Sequence, residues 1–131
     1  MSLTVGDRLL ESARRGEVPE DEFVACVRDS LPYAWEVIGD VAARSHGTDD
    51  GFADNQVPPP DETARGQLLR ALASDAMRGA LERHFGVRLA FQNCHRVAAF
   101  APHGPDHAER YARFTSPRAQ LLNQSPDLVD C

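Results

Sequence analysis

Four side chains that could bind a ligand or move a proton lie within five positions of this sequence, from Gln92 to Arg96. Gln92 and Asn93 carry amides, which can orient another amide or a carboxylate. His95 can exchange a proton near neutral pH, and the permanent cation Arg96 can stabilise a carboxylate or a developing enolate. Together these groups suit a peptide backbone or an acidic side chain as ligand. No catalytic motif confirms this hypothesis, since phosphate-loop, dinucleotide, GxSxG and HExxH patterns are missing, and a purely structural histidine remains the alternative.

The segment that carries these groups, Val87 to Phe100, is predicted to form a β-hairpin. Apolar residues alternate from Val87 to Phe91, a pattern typical of a half-buried strand, and a second apolar run ends at Phe100. Asn93 suits the turn because asparagine tolerates left-handed backbone angles, and Gly86 suits a left-handed helix cap. Since an isolated hairpin is marginally stable, this one must lie on the helices or pair with another copy.

Helical periodicity dominates the chain before the hairpin. The predicted helices begin at proline, at acidic residues or at the N-cap residue Asp61. They end at glycine or proline. The predicted helices are Leu3–Arg15, Pro19–Ser30, Pro32–Arg44 and Asp61–Phe85. A cap-like Ser74-Asp75 inside the last one leaves open a division into two. The predicted fold class is therefore mainly α, a small helical domain of about four to five helices with one short antiparallel β-hairpin.

The chain is long enough for a single domain, residues 1–131. Its predicted segments are helices (1–44), a loop (45–60), a long helix (61–86), the hairpin (87–100) and a tail (101–131). The loop contains glycine, asparagine and three successive prolines, which disfavour regular structure. The tail can form a short helix from Asp106 to Phe114, and it either wraps the body or clasps a second subunit.

Two further segments offer candidate ligand contacts. Tyr33, Trp35 and Glu36 cluster at a helix start and could form the lip of a pocket. The same helix face continues with Asp40 and Arg44, and a solvated surface is the alternative.

The loop supplies Asp54, Asn55 and Gln56 beside the apolar Phe52. A loop of this length is usually functional or disordered, so a binding role and a flexible surface loop both stay open. Arg78 follows Arg70 and Ser74 at four-residue steps. It is a candidate substrate contact, with an exposed, salt-bridged helix face as the alternative.

Composition excludes several classes of protein. The formal charge of −6 argues against a nucleic-acid partner. No run is long enough to span a membrane and the start is not a signal peptide, so we expect a cytoplasmic protein without a membrane partner. The three cysteines Cys26, Cys94 and Cys131 form no CxxC pair, and with His84 and His95 they show no metal-ligand spacing. We therefore expect no metal.

All 14 basic residues are arginine, and lysine is absent. Codon bias in a GC-rich genome explains this composition. Alternatively, a protein that handles lysine amines would avoid competing amines of its own.

Four segments resemble a known family: LPYAWEVI (Leu31–Ile38), FADNQVPPP (Phe52–Pro60), the run from Arg65 to Gly86, and AFQNCHRVAAF (Ala90–Phe100). They look like the small proteins that form lysinoalanine in duramycin- and cinnamycin-type lantibiotic pathways. The resemblance covers residues 17–100, and the chain after Pro102 lies outside it.

This resemblance implies a mainly helical homodimer that binds a modified peptide at the subunit interface. Such proteins promote the attack of a lysine ε-amine on dehydroalanine, an aza-Michael addition that closes the last ring, without metal or organic cofactor. A hydroxylated aspartate of the substrate is thought to assist the proton transfer.

On the matching segments we assign roles from the residue chemistry. The catalytic candidates are Glu36, His95 and Arg96, with Glu36 or Asp54 holding the lysine and His95 relaying a proton. The candidate substrate contacts are Tyr33, Trp35, Asp54, Asn55, Arg78, Gln92 and Asn93.

Two other functions stay open. The chain could be a non-catalytic helical module that binds a peptide or protein in a natural-product pathway. It could also be another small isomerase or cyclase.

Overall fold

The computed structural model describes residues 3–93 and 95–123. In order, the elements of this part are α1 Asp7–Arg14, α2 Glu20–Ser30, α3 Pro32–Gly47, β1 Phe52–Asp54, α4 Glu62–Ala73, α5 Asp75–Phe85, β2 Arg88–Gln92, β3 Arg96–Phe100, α6 His107–Phe114 and α7 Pro117–Leu122. The fold is mainly α, as predicted, and the predicted hairpin is β2–β3.

The hairpin does not stand alone. β1 adds to β3 in antiparallel register, with Phe52 opposite Phe100 and Asp54 opposite Ala98, so the sheet order is β1-β3-β2. The prediction of an irregular loop over residues 45–60 was therefore wrong in two places. α3 continues to Gly47, and β1 occupies Phe52–Asp54. The strand is short and pairs with a partner more than 40 residues away, so local composition could not reveal it.

The break between α4 and α5 falls at Ser74, where the sequence had left a division open. The Ser74 hydroxyl accepts a hydrogen bond from the backbone N–H of Met77 at 3.3 Å, which caps α5. Gly86 ends α5 with φ +67°, and Asn93 turns the hairpin with φ +55°, both in the left-handed region.

The main core lies between the helices and one face of the sheet, which we call the inner face. α3 packs on β3 and β1 at this face and buries Ala34, Ile38 and Val41 in one cluster with Leu89 and Val97. The start of α3 has no side-chain cap of its own. Instead the Gln67 side chain of α4 accepts from the N–H groups of Tyr33 and Ala34, at 2.8 and 3.2 Å.

The predicted tail forms the cover of the opposite, outer face of the sheet. α6 places Phe114 and Tyr111 against Phe100, and their rings meet edge to face at 5.7 and 5.5 Å between centroids. Arg88 of β2 stacks on the ring of Tyr111 at 3.5 Å. The tail was predicted either to wrap the body or to clasp a second subunit. As far as Asn123, the last described residue, it wraps the body.

The expected homodimer stays a prediction. One reason for it was that the hairpin and the tail both need cover. Within this one chain β1 and α6 cover the hairpin, whereas Leu121 and Leu122 of α7 stay exposed. Among the residues that the structure describes, no helix has the length and apolar character needed to cross a membrane.

Candidate functional site

The alternation of β3 separates the two residues that looked most capable of joint chemistry. Arg96, Ala98 and Phe100 point to the outer face, whereas Val97 and the neighbouring odd positions point to the inner face. His95 precedes the strand and is only 4% exposed, whereas the Arg96 side chain reaches the outer face and pairs with Asp54. The two residues therefore do not form one site.

His95 is buried with an unsatisfied ring nitrogen. In the described part of the chain its Nδ1 has no hydrogen-bond partner. Burial lowers the pKa of His95 below its usual value, and the positive charges of Arg96 and Arg65 lower it further. Its surroundings thus favour the neutral form of the ring, and His95 lines neither the α3 groove nor the arginine groove defined below. Its predicted role as a proton relay stays a prediction.

Arg96 is committed to an ion pair. Its Nε and one terminal nitrogen lie 2.8 and 2.6 Å from Oδ2 of Asp54, a carboxylate that is 7% exposed. Gln56 donates to the other oxygen, Oδ1 of Asp54. Both oxygens of Asp54 are therefore engaged within the chain, so this carboxylate is poorly placed to hold a substrate lysine.

The hairpin amides hold the covering helices. Gln92 donates from Nε2 to the carbonyl of Phe114 and accepts at Oε1 from Asn123 at 2.6 Å. Asn93 donates to the carbonyl of Asn123 and accepts from Gln120. These four amides form a closed network between the hairpin and the segment from α6 to Asn123, and each predicted ligand contact on the turn has an internal partner.

Asn55 has an internal role as well. Its backbone N–H donates to the carbonyl of Val97 at 3.2 Å, and its side-chain oxygen accepts from the N–H of Val97 at 2.9 Å. Its amide nitrogen donates to the carbonyl of His95 at 2.7 Å. Asn55 therefore continues the pairing of β1 with β3 past the end of the strand.

A groove between α3 and residues 55–60 brings other predicted residues together. We call it the α3 groove, and its volume is about 760 Å³. Its lining residues are Tyr33, Glu36, Val37, Asp40, Arg44, Asn55, Gln56, Val57, Pro58 and Pro60. The three- and four-residue spacing in the sequence predicted the α3 side of this groove. It did not predict the opposite wall, which residues 55–60 form.

The charges in the α3 groove are unequally engaged. Asp40 pairs with Arg44 at 2.9 Å, and Arg44 also donates to the carbonyl of Asp54 at 2.7 Å. Glu36 is exposed and has no hydrogen-bond or ion-pair partner in residues 3–93 and 95–123. Tyr33 is partly buried, and this burial together with the charge of Asp61 raises its pKa. The groove thus offers one uncommitted carboxylate beside an aromatic ring.

Two predicted substrate contacts lie elsewhere. Trp35 packs on the rings of His84 and Phe85 of α5, with centroids 5.2 and 5.0 Å away, because a residue two positions from Tyr33 faces another side of a helix. Arg78 spans the break between α4 and α5, where it pairs with Asp75 at 2.7 Å and donates to the carbonyl of Leu72 at 3.2 Å. Neither residue lines the α3 groove.

Within residues 3–93 and 95–123, no group of three or more histidine, cysteine, aspartate or glutamate side chains could hold a metal ion. Cys94 and Cys131 lie outside the described residues. Cys26 is a half-buried free thiol, 3.5 Å from the carbonyl of Thr4.

The fold and the grooves define a small, mainly α domain with a three-stranded antiparallel sheet and a ligand-sized cleft on its central helix. The chain belongs to the family described as NucS shadow ORF, whose model matches residues 1–131. No curated protein and no solved structure matches the chain significantly.

Proposed function

We propose that this protein binds a lysine-containing peptide in the α3 groove. The observation that carries the proposal is the uncommitted carboxylate of Glu36 in a groove whose other walls are largely apolar. The description of the family names no substrate and no reaction, so the proposal rests on the site.

A lysine side chain matches this groove in both of its parts. Its aliphatic stem packs along Val37, Val57 and Pro58, while its ammonium group meets Glu36. The ring of Tyr33 adds a flat apolar contact, and the free Oε1 of Gln56 can accept from a peptide N–H. The net charge of −6 favours the approach of a cationic peptide.

The binding test compares two peptides that differ only at one side chain. A lysine peptide and its norleucine counterpart are titrated against the protein by isothermal calorimetry. We expect the lysine peptide to bind more tightly, and Glu36→Gln to weaken it about two- to fivefold, as for a partly exposed ion pair. Glu17→Gln, an exposed carboxylate on the loop before α2, is the matched control and should change nothing. Equal affinity for both peptides, or equal losses in both variants, would refute the proposal.

A more specific proposal follows from the same carboxylate: the groove promotes lysinoalanine formation in a lantibiotic-type peptide. In this reaction the lysine loses a proton, its Nζ forms a bond to Cβ of dehydroalanine, and Cα of the resulting enolate takes up a proton. Glu36 is the accessible member of the two carboxylates that the sequence offered for the lysine, because Asp54 is paired with Arg96. Holding the amine and the alkene together contributes several kcal/mol, on the order of 7 or more in the best cases.

Ring closure leaves the mass of the peptide unchanged, so the reaction is followed by the loss of thiol reactivity at dehydroalanine. A dehydroalanine peptide incubated with the protein and then treated with a thiol should give fewer adducts than the peptide alone. Glu36→Gln should restore the adducts, and Glu17→Gln should not. If the peptide binds but the adducts are unchanged by the wild-type protein, the reaction is excluded and the non-catalytic binding function stands.

A further inference from the structure

A second groove lies on the other side of β1, between the outer face of the sheet and the helices α6 and α7. We call it the arginine groove, and its volume is about 410 Å³, within the range of small-molecule sites. Three arginines line it, Arg96 from β3 and Arg110 and Arg113 from α6. It is distinct from the α3 groove, since the two share no lining residue.

The floor of the arginine groove is aromatic. The rings of Phe52, Phe100 and Phe114 surround one point, with centroid separations of 5.3, 5.7 and 6.3 Å. Phe100 and Phe114 are almost fully buried, so their positions are fixed by packing. They hold in place the half-buried ring of Phe52, which a flat apolar ligand can contact together with the edges of the other two rings that line the groove.

The charges of the groove do not cancel. Arg96 is neutralised by Asp54, and Arg110 lies 3.6 Å from Asp50 in a half-exposed and long ion pair. Arg113 has neither an ion pair nor a hydrogen bond from its side chain in the described part of the chain. Three guanidinium groups against two carboxylates leave one positive charge in a protein whose net charge is −6.

The two arginines of α6 are placed to act together. Arg110 and Arg113 are three positions apart, and residues at this spacing are neighbours on one helix face. A guanidinium group presents a planar fork of N–H donors that matches a carboxylate. We infer that the arginine groove binds a small molecule that carries one carboxylate on a flat aromatic body, with the carboxylate on Arg113 and Arg110 and the body on the aromatic floor at Phe52.

The test uses 2-naphthoate as the probe and its neutral analogue 2-naphthalenemethanol as the reference, titrated into the full chain by two-dimensional NMR. We expect saturable shifts for naphthoate at resonances of α6 and of Phe52 and Phe100. Arg113→Gln should weaken naphthoate binding about tenfold, which is what the loss of a charge-assisted hydrogen bond gives. It should leave the affinity of the neutral analogue unchanged.

Arg118→Gln is the matched control, since Arg118 is an exposed arginine of α7 that does not line the groove. Arg113 is itself exposed, so the fold of Arg113→Gln should be intact, and its amide spectrum checks this. Arg113→Lys keeps the charge without the fork and should fall between the wild type and Arg113→Gln. Absence of saturable naphthoate binding, equal binding of the neutral analogue, or an equal loss in Arg118→Gln would overturn the inference.

Discussion

Arg96 and Asp54 form an ion pair on the outer face of the sheet, between the end of β1 and the start of its neighbour β3. From the sequence alone, Arg96 was expected to contact a ligand. In the structure Asp54 is 7% exposed and depends on Arg96 for its neutralisation. Removal of the guanidinium would leave that carboxylate buried without its partner, which is among the costlier changes in a protein.

We therefore predict that Arg96→Ala lowers the free energy of unfolding by about 1.5–3 kcal/mol, measured by urea denaturation. The value is below that of a fully buried pair because the Arg96 side chain is 29% exposed. Arg28→Ala is the control, because its pair with Asp29 is exposed, and no measurable change is expected. An Arg96→Ala protein of unchanged stability that fails to bind peptide would return Arg96 to the role of a ligand contact.

His95 gives a prediction of pH dependence. Its pKa is lowered in the folded protein, first by burial and then by Arg96 and Arg65, so the folded state binds a proton less readily than the unfolded state. The contribution of His95 to stability is thus complete above its unfolded pKa, about 6.5, and is lost as the pH falls from there through the lowered folded pKa.

Urea denaturation between pH 8 and pH 5 measures this effect. The free energy of unfolding should decline below about pH 6.5, and His95→Gln should flatten the decline. His103→Gln, at an exposed histidine, should keep it. An identical pH profile for the wild type and His95→Gln would show that another group is responsible.

At the scale of elements, two turns hold the start of β1 against the end of β3. The backbone N–H of Ala101 donates to the carbonyl of Gly51 at 2.7 Å, and Gly104 approaches the same turn. A Cβ atom on Gly104 would lie 2.5 Å from the carbonyl oxygen of Asp50, a backbone atom with no freedom to retreat. The close contact between these turns fixes β1 beside β3 and so places Phe52 and Asp54.

We predict that Gly104→Ala is destabilising by on the order of 1–3 kcal/mol, because the turns must separate to admit the methyl group. Gly66→Ala is the matched substitution. Gly66 lies within α4 and a Cβ there meets nothing within 4 Å, so this change should stabilise the protein by about 0.5–1 kcal/mol. Thermal unfolding of both variants distinguishes them by sign, and stabilisation by Gly104→Ala would contradict the close contact.

Helix caps and turns could be predicted from the sequence because they depend on neighbouring residues. Gly86 and Asn93 each act on neighbouring backbone, and each was assigned its cap or turn from the sequence. Ser74 was noted only as cap-like, and the long helix predicted over 61–86 is divided there into α4 and α5. β1 could not be assigned, because its three residues gain their partner from β3. The pairing of Asp54 with Arg96, 42 positions apart, is equally non-local.

The candidate site was predictable only in part for the same reason. The face of α3 that carries Tyr33 and Glu36 follows from helical spacing, and both residues line the α3 groove. Trp35 breaks that spacing, and the structure places it on α5. Arg96 and His95 were predicted to act together because they are adjacent in sequence. Adjacent residues at a strand point to opposite sides, so the structure separates them. The amide network to Asn123 was not visible, because its partners belong to a segment that was interpreted as a tail.

At the scale of the whole molecule, the question is whether the segment after Pro102 folds with the rest of the chain. Phe114 is the anchor of that segment. It is 9% exposed, contacts the rings of Phe52 and Phe100, and its carbonyl accepts from Gln92. An appendage would lack such ties to each of the three strands, so we infer one cooperative unit.

Trp35, the only tryptophan, reports on this coupling because it lies on α3 and packs on α5, far along the chain from α6. We predict that unfolding followed by Trp35 fluorescence coincides with unfolding followed by far-ultraviolet circular dichroism, which sees all the helices. Phe114→Ala should shift both transitions together, with a loss of about 3–5 kcal/mol for a truncated buried phenylalanine. Leu121→Ala, at a 73% exposed position of α7, is the control and should shift neither.

If Phe114→Ala leaves the Trp35 transition in place and only part of the circular dichroism signal melts early, α6 and α7 are a separate unit. In that case the arginine groove would lose one wall while the α3 groove kept both of its own, and the two binding sites could be removed independently.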